Sequence, residues 1–307
     1  MSDTIVLTIF GAVVLSVLVV DLALAQRRAH FPPMNEALLW TGIWVALAFL
    51  FGLFIHFTRG TTPSLEFATG YIVEQSLSID NVFVFIVIFT FFAVPRESQH
   101  KILFWGVVSA IVFRAVFIVV GAALVARFHW VLYLLGAFLV GTAVKLAVQK
   151  DEVIHPERNP ALRFVRKMFP VTADYQGQHF FVRQDRKLWA TPLLIVLVTI
   201  ETTDIAFATD SIPAIFAITR DTFIIFTSNI FAVLGLRSLY FVVAGFMTQF
   251  HLLKYGLSVV LAFIGVKMLI EPWLAIHISV SLIVIFSVVL LSVLLSVITR
   301  KPGAQAH

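Results

Sequence analysis

The chain has 307 residues, of which 60% are hydrophobic and 13% charged, with a net charge of +5 and a mean hydropathy of +0.99. An ordinary soluble domain carries about 25% charged residues, so this chain cannot cover a soluble surface of its size; a cytosolic enzyme, a disordered protein and a nucleic-acid module are excluded, and a polytopic membrane protein is left. Cysteine is absent, which also excludes disulfides, iron–sulfur clusters, thiolate metal sites and Cys nucleophiles.

Apolar segments long enough to span a bilayer predict nine helices, at about 5–25, 36–57, 66–92, 101–126, 130–149, 189–218, 222–248, 253–271 and 276–298. The first has no basic leader and no small-residue cleavage site, and it carries Asp21 followed by Arg27 and Arg28; it reads as a retained helix. Counting Lys and Arg between spans sets the orientation. The loops near 26–35, 93–101, 150–188 and 249–254 and the C-terminus hold 15, whereas the other side holds Arg59, Arg127 and Arg220. The basic side stays in the cytoplasm, so the C-terminus is expected inside and the N-terminus outside. The positive net charge is a product of the same rule. In the long 150–188 loop, Asn159-Pro160 reads as a helix start, with Leu162, Val165 and Phe169 on one face and Arg163, Arg166 and Lys167 on another, as in a short helix on the membrane surface. After it, His179–Val182 and Leu188–Thr191 flank a polar turn and read as a small hairpin.

Two parts of the chain resemble each other. Glu74 and Asp80-Asn81 in the third span match Asp204 and Asp210-Ser211 in the sixth at an offset of 130. Arg114 matches Arg237 at an offset of 123, and Tyr133 and Lys145 match Tyr255 and Lys267 at 122. Three helices per copy reverse the second copy, so an all-α fold with a 3+3 inverted repeat is expected, with its site near the midplane. The expected divisions are 1–65 (peripheral spans), 66–149 (first repeat), 150–188 (cytoplasmic loop), 189–271 (second repeat) and 272–307 (last span and cytoplasmic tail).

Five carboxylates fall inside the repeats: Glu74, Asp80, Glu201, Asp204 and Asp210. Each charge at mid-bilayer costs about 2.5–3.5 kcal/mol on insertion scales, so five need partners. Arg114 and Arg237 lie too deep to reach water easily; Lys145 and Lys267 lie near opposite ends of their spans and can snorkel. Two arginines can neutralise two acids and leave about three, enough to hold one divalent cation or to carry protons. Glu201 and Asp204 share a helix face, while Asp204 and Asp210 diverge. Pro213 predicts a kinked or unwound segment at Asp210–Pro213, and the matching Asp80-Asn81 position is expected to break the third span. Asn81 and Ser211 add neutral oxygens at matching positions. All nine histidines fall in loops or near span ends, so the ligands are oxygens, which suit Mg2+, Ca2+ or Mn2+ better than copper or zinc and suit protons equally. Glu66, at the outer end of the third span, is expected to be solvated.

Gly70–Phe85 and Glu201–Ala217 resemble the signatures of the TerC family, closest to its Alx branch, and the resemblance runs over most of the chain, the His179–Arg183 segment included. It implies a bacterial inner-membrane protein that exports Mn2+, with Glu74, Asp80, Glu201, Asp204 and Asp210 as its intramembrane acids. The expected function is secondary transport, not enzymatic catalysis, with the divalent ion as substrate, the bilayer as surroundings, no permanently bound cofactor and no nucleic-acid partner; no feature specifies an oligomeric state. A proton or other cation antiporter is the alternative. An intramembrane aspartyl protease is remote, because the Gly-x-Gly-Asp and Tyr-Asp patterns are missing. A redox carrier is disfavoured by the lack of Cys and of mid-span His pairs.

Overall fold

The computed structural model describes residues 33–128, 130–148, 165–184, 187–246, 252–274 and 276–299, leaving aside the side chains at 80, 83, 209, 210, 245, 246, 253, 254 and 297. The expected first span, with Asp21, Arg27 and Arg28, lies outside the described residues, as does most of the expected surface helix; only a turn of helix at 165–168 is described.

Hydrocarbon offers the backbone no hydrogen-bond partners, so apolar segments of this length become helices. Eight are described: α1 (Met34–Arg59), α2 (Thr61–Phe91), α3 (Arg96–Arg127), α4 (Val131–Val148), then strands β1 (Phe181–Gln184) and β2 (Lys187–Ala190), followed by α5 (Pro192–Phe216), α6 (Thr222–Phe246), α7 (Leu253–Ile270) and α8 (Ile278–Ile298). Among the described residues seven helices are long and apolar enough to cross a membrane, and α7 is a shorter apolar helix. The chain is a mostly helical, multi-pass integral membrane protein.

Local chemistry sets the helix ends. One residue, Gly60, joins α1 to α2, and its φ of 95° is a left-handed conformation that glycine adopts without penalty. Pro192 occupies the first turn of α5, where no backbone donor is lost. Asp221 caps α6 by accepting from the Phe223 and Ile224 amides at 2.9 and 3.4 Å. The expected unwinding at Asp210–Pro213 is not found: α5 is helical through Phe216, and α2 is helical through Asp80-Asn81. Ala208, Ile212, Ile215 and Phe216 pack with Ile118 and Val125 of α3 and Leu132 of α4, and this packing holds the proline-containing turn in helical register. Pro213 still removes one donor, so the carbonyl four residues earlier, at Thr209, loses its helical partner.

The helices interlock crosswise. α2 packs along α6, α3 along α5 and α6, and α4 along α7; α1 lies on α2 and α6, and α8 on α2 and α7. α6 is the most enclosed, with 83% of its apolar stretch buried against 11% for α1 and for α8. The two outer helices turn Phe49, Phe57 and Ile298 outward, as lipid contact allows. At the α4–α7 seam a Cβ on Gly265 would come within 2.8 Å of the Gly136 carbonyl oxygen, so the close approach depends on the absence of side chains.

Two apolar clusters bracket the middle of α2 and α5. Val82, Phe85 and Phe89 pack with Leu193, Val196 and Ile200, while Val73 packs with Ala214 and Ile218. The two helices are therefore antiparallel, with residues 74–81 level with residues 201–211. The hairpin forms where two apolar runs flank a polar turn, in the register Phe181↔Ala190 to Gln184↔Lys187. The loop before it is tied to the α2–α3 turn and to the start of α3: the Tyr175 hydroxyl donates to the Phe92 carbonyl at 2.7 Å, and Lys101 donates to the Gln178 carbonyl. Burial pushes the Tyr175 phenol up to about 12, which keeps it a donor through the neutral range.

Candidate functional site

The polar residues of α2 and α5 recur at helical spacing, and this puts them in stripes. Glu74, Ser78 and Asn81 are four and three residues apart, as are neighbours on one face. Glu201, Asp204, Ala208 and Ser211 form the corresponding line on α5. Glu74, Ser78, Asn81, Asp204 and Ser211 are all buried, between the two apolar clusters.

Arg114 of α3 organises the centre. It is 1% exposed. Its Nη1 donates to Glu74 Oε1 and, at 2.9 Å, to Asn229 Oδ1 of α6. Asn229 Nδ2 returns a bond to Glu74 Oε2 at 3.0 Å. The three side chains close a ring in which both carboxylate oxygens of Glu74 are satisfied. On its other side, Arg114 Nη2 lies 3.7 Å from Asp204 Oδ1, an ion pair longer than a hydrogen bond. Neither oxygen of Asp204 has a hydrogen-bond partner, although the residue is 3% exposed. Glu201, one turn before Asp204, accepts from the Ser109 hydroxyl through Oε1, while its buried Oε2 has no partner. Gln75 Oε1, Ser78 Oγ and Ser211 Oγ are likewise buried without partners.

Of the residues singled out from the sequence, the structure brings Glu74, Arg114, Asp204 and Glu201 to one place and sets Asn81 and Ser211 on the stripes that lead from it. The side chains of Asp80 and Asp210 lie outside the described residues. Arg237 is half-buried on α6, eight residues after Asn229. Lys145 is exposed on α4, and half-buried Lys267 donates to Ser281 of α8 at 2.9 Å. Among the described residues no group of three His, Asp or Glu side chains stands in a metal-holding arrangement. Glu66 departs from expectation: it is half-buried and accepts from the Thr219 hydroxyl at 2.6 Å, because the α5–α6 turn folds over it. Nearby, Arg59 pairs with Asp221 at 3.0 Å and Arg220 with Glu271 at 3.4 Å.

Sequence reasoning missed Asn229, Ser109 and Ser78. Neutral residues attract no attention in a search for charges, yet Thr227-Ser228-Asn229 is a polar triplet inside an apolar helix, and all three are 0% exposed. Such a triplet is affordable in lipid only when its groups find partners.

Residues 59–304 match the model of the integral membrane protein TerC family. The chain is 47% identical over 292 residues to "Uncharacterized membrane protein STKORF319" of Myxococcus xanthus, covering 95% of this chain and 92% of the relative. It is 43% identical over 296 residues to "Putative membrane-bound redox modulator Alx" of Escherichia coli (strain K12), covering 94% and 92%. A Rickettsia bellii membrane protein is 38% identical over 293 residues, covering 95% and 97%. No solved structure matches the chain significantly.

Proposed function

The chain belongs to the TerC family of integral membrane proteins, and from that premise we propose that it is a secondary transporter that exports a divalent metal cation, Mn2+ foremost, by alternating access. Its carriers are residues 66–149 (most of α2, then α3 and α4) and 189–271 (α5–α7), acting as inverted repeats, with 1–65 and 272–307 as peripheral additions. The crosswise packing supports this division: the first helix of each half lies along the second helix of the other, and the third helices lie along each other. The excess of basic residues on one side supports a bacterial inner-membrane protein with its C-terminus and 150–188 loop in the cytoplasm and its N-terminus outside.

The observation that carries the reading is the state of Asp204, a carboxylate buried in a membrane bundle with no hydrogen bond to either oxygen and a guanidinium 3.7 Å away. A buried anion in that condition is favourable only with a cation close by. Arg114 acts as the tethered cation: it offsets one of the two charges of Glu74 and Asp204 when no ion is bound and yields part of that role when one arrives. Glu201, Asp80 and Asp210 complete the negative charge, and Asn81 and Ser211 add neutral oxygens. Neutral imidazole and thiolate are absent from this set, which favours hard cations. Arg237, Lys145 and Lys267 balance charge elsewhere in the repeats. The ion is substrate, and the protein needs no resident cofactor and performs no enzymatic step. The redox role in the Escherichia coli relative's name finds no thiol in this chain.

Flux in proteoliposomes tests the proposal. Asp80→Ala and Asp210→Ala are expected to abolish Mn2+ transport, and unchanged flux in both defeats it. Glu201 favours a second reading, since Ser109 is its hydrogen-bond partner at one oxygen and the other is bare; the proton would then be the exchanged ion, or the sole one. Mn2+ uptake into inside-out vesicles with and without an imposed pH gradient separates the two.

A further inference from the structure

In a lipid-embedded helix, a Ser or Thr hydroxyl ordinarily donates to the carbonyl one turn earlier. This chain follows the rule widely. Thr69 donates to Leu65, Ser76 to Ile72, Thr90 to Ile86, Thr199 to Ile195, Thr227 to Phe223 and Ser228 to Ile224, at 2.6–2.8 Å. Among the described residues, two hydroxyl oxygens fully shielded from solvent have no hydrogen-bond partner: those of Ser78, a residue 0% exposed, and Ser211, 3% exposed. Both lie on the acid-bearing stripes. Ser78 stands between Glu74 and Asn81 on α2, and Ser211 follows Asp204 by two turns on α5. The antiparallel register sets the two stripes level between the same pair of apolar clusters. Pro213 leaves the Thr209 carbonyl without its usual helical donor near the Ser211 end of the α5 stripe.

Resting on the transport reading above, we propose that Ser78 is a further cation-contacting residue, whose hydroxyl, with Asn81 one turn further along α2, replaces hydration water around the divalent ion and sets its selectivity. The physical case has two parts. A carboxylate cluster alone holds a divalent ion by charge, and each added carboxylate slows release; neutral oxygens take the place of water without adding charge. A hydroxyl that leaves its own helix unbonded is available for that role, whereas the back-bonded Ser76 hydroxyl, two residues away, is not. Oxygen here also discriminates by softness, since a sulfur in the same place would favour zinc and cadmium over Mn2+.

The absence of cysteine makes the test clean, because Ser78→Cys carries the chain's sole thiol. In full-length protein in proteoliposomes, MnCl2 at about ten times its dissociation constant is expected to slow methanethiosulfonate labelling of Ser78→Cys about tenfold, as occupancy requires. Labelling of Ser76→Cys is expected to be insensitive to the metal. Ser78→Cys is further expected to move flux competition toward Cd2+ and Zn2+, and Ser78→Ala to raise KM for Mn2+ more than it lowers kcat. Equal protection of both thiols, protection of neither, or a Ser78→Ala protein with unchanged KM and unchanged competition by Mg2+ overturns the assignment. Wild-type Mn2+ flux, measured alongside, keeps the two claims apart: if it is robust, these results remove Ser78 alone, and if it is missing, the transport reading falls first.

Discussion

The bundle holds arginine–carboxylate pairs in two settings that differ in almost everything but the chemical groups. At the rim, Arg220 and Glu271 meet at 3.4 Å with side chains 49% and 53% exposed. At the centre, Arg114 and Glu74 are 1% and 2% exposed and share Asn229. Water can replace either partner of the rim pair, so the pair contributes little; nothing can replace a partner at the centre, so removing one leaves a bare charge in a low-dielectric interior. Arg59–Asp221 stands between them. It is part-exposed, but Arg59 also lies 4.1 Å over the Phe223 ring, and Asp221 caps α6. Burial, more than ion-pair geometry, therefore ranks these sites.

That ranking can be broken by measurement. Arg114→Ala is expected to destabilise the detergent-purified protein most, by about 3–5 kcal/mol, because Glu74 and Asp204 both lose their cation. The double variant with Glu74→Gln should recover part of the loss in thermal melts, since one of the two stranded charges is gone; equal melting of the single and double variants would show that the ring is not the origin of the effect. Asn229→Ala comes next, at about 1–3 kcal/mol, through the loss of bonds to the charged pair. Arg220→Ala should lie within about 1 kcal/mol of wild type, and less at high salt. A rim variant that matched the Arg114 variant in melting temperature would overturn the comparison.

How far these features could be read beforehand depended on their range. Spans, hairpin and helical stripes come from periods and lengths within one segment, so Glu201 and Asp204 could be placed on one face, and apolar runs on either side of a polar turn could be read as a hairpin. The partner of an acid is a different matter. Arg114 precedes Asp204 by 90 residues in the chain yet lies beside it, and Asn229 reaches Glu74 from another helix. The unwinding expected at Pro213 failed for the same reason: packing from α3 and α4 outweighed one missing backbone bond. Glu66 looked solvated because its cover, Thr219, comes from a turn 153 residues away.

The sequence by itself determined that this chain lives in lipid, crosses it many times and carries acids where hydrocarbon should be, because bilayer thickness and the cost of burying charge act on local composition. The tertiary structure alone decided which acid is neutralised, which is left with bare oxygens and which hydroxyls turn away from their own helix. Those outcomes depend on the register between helices distant in the chain, and no local period encodes it.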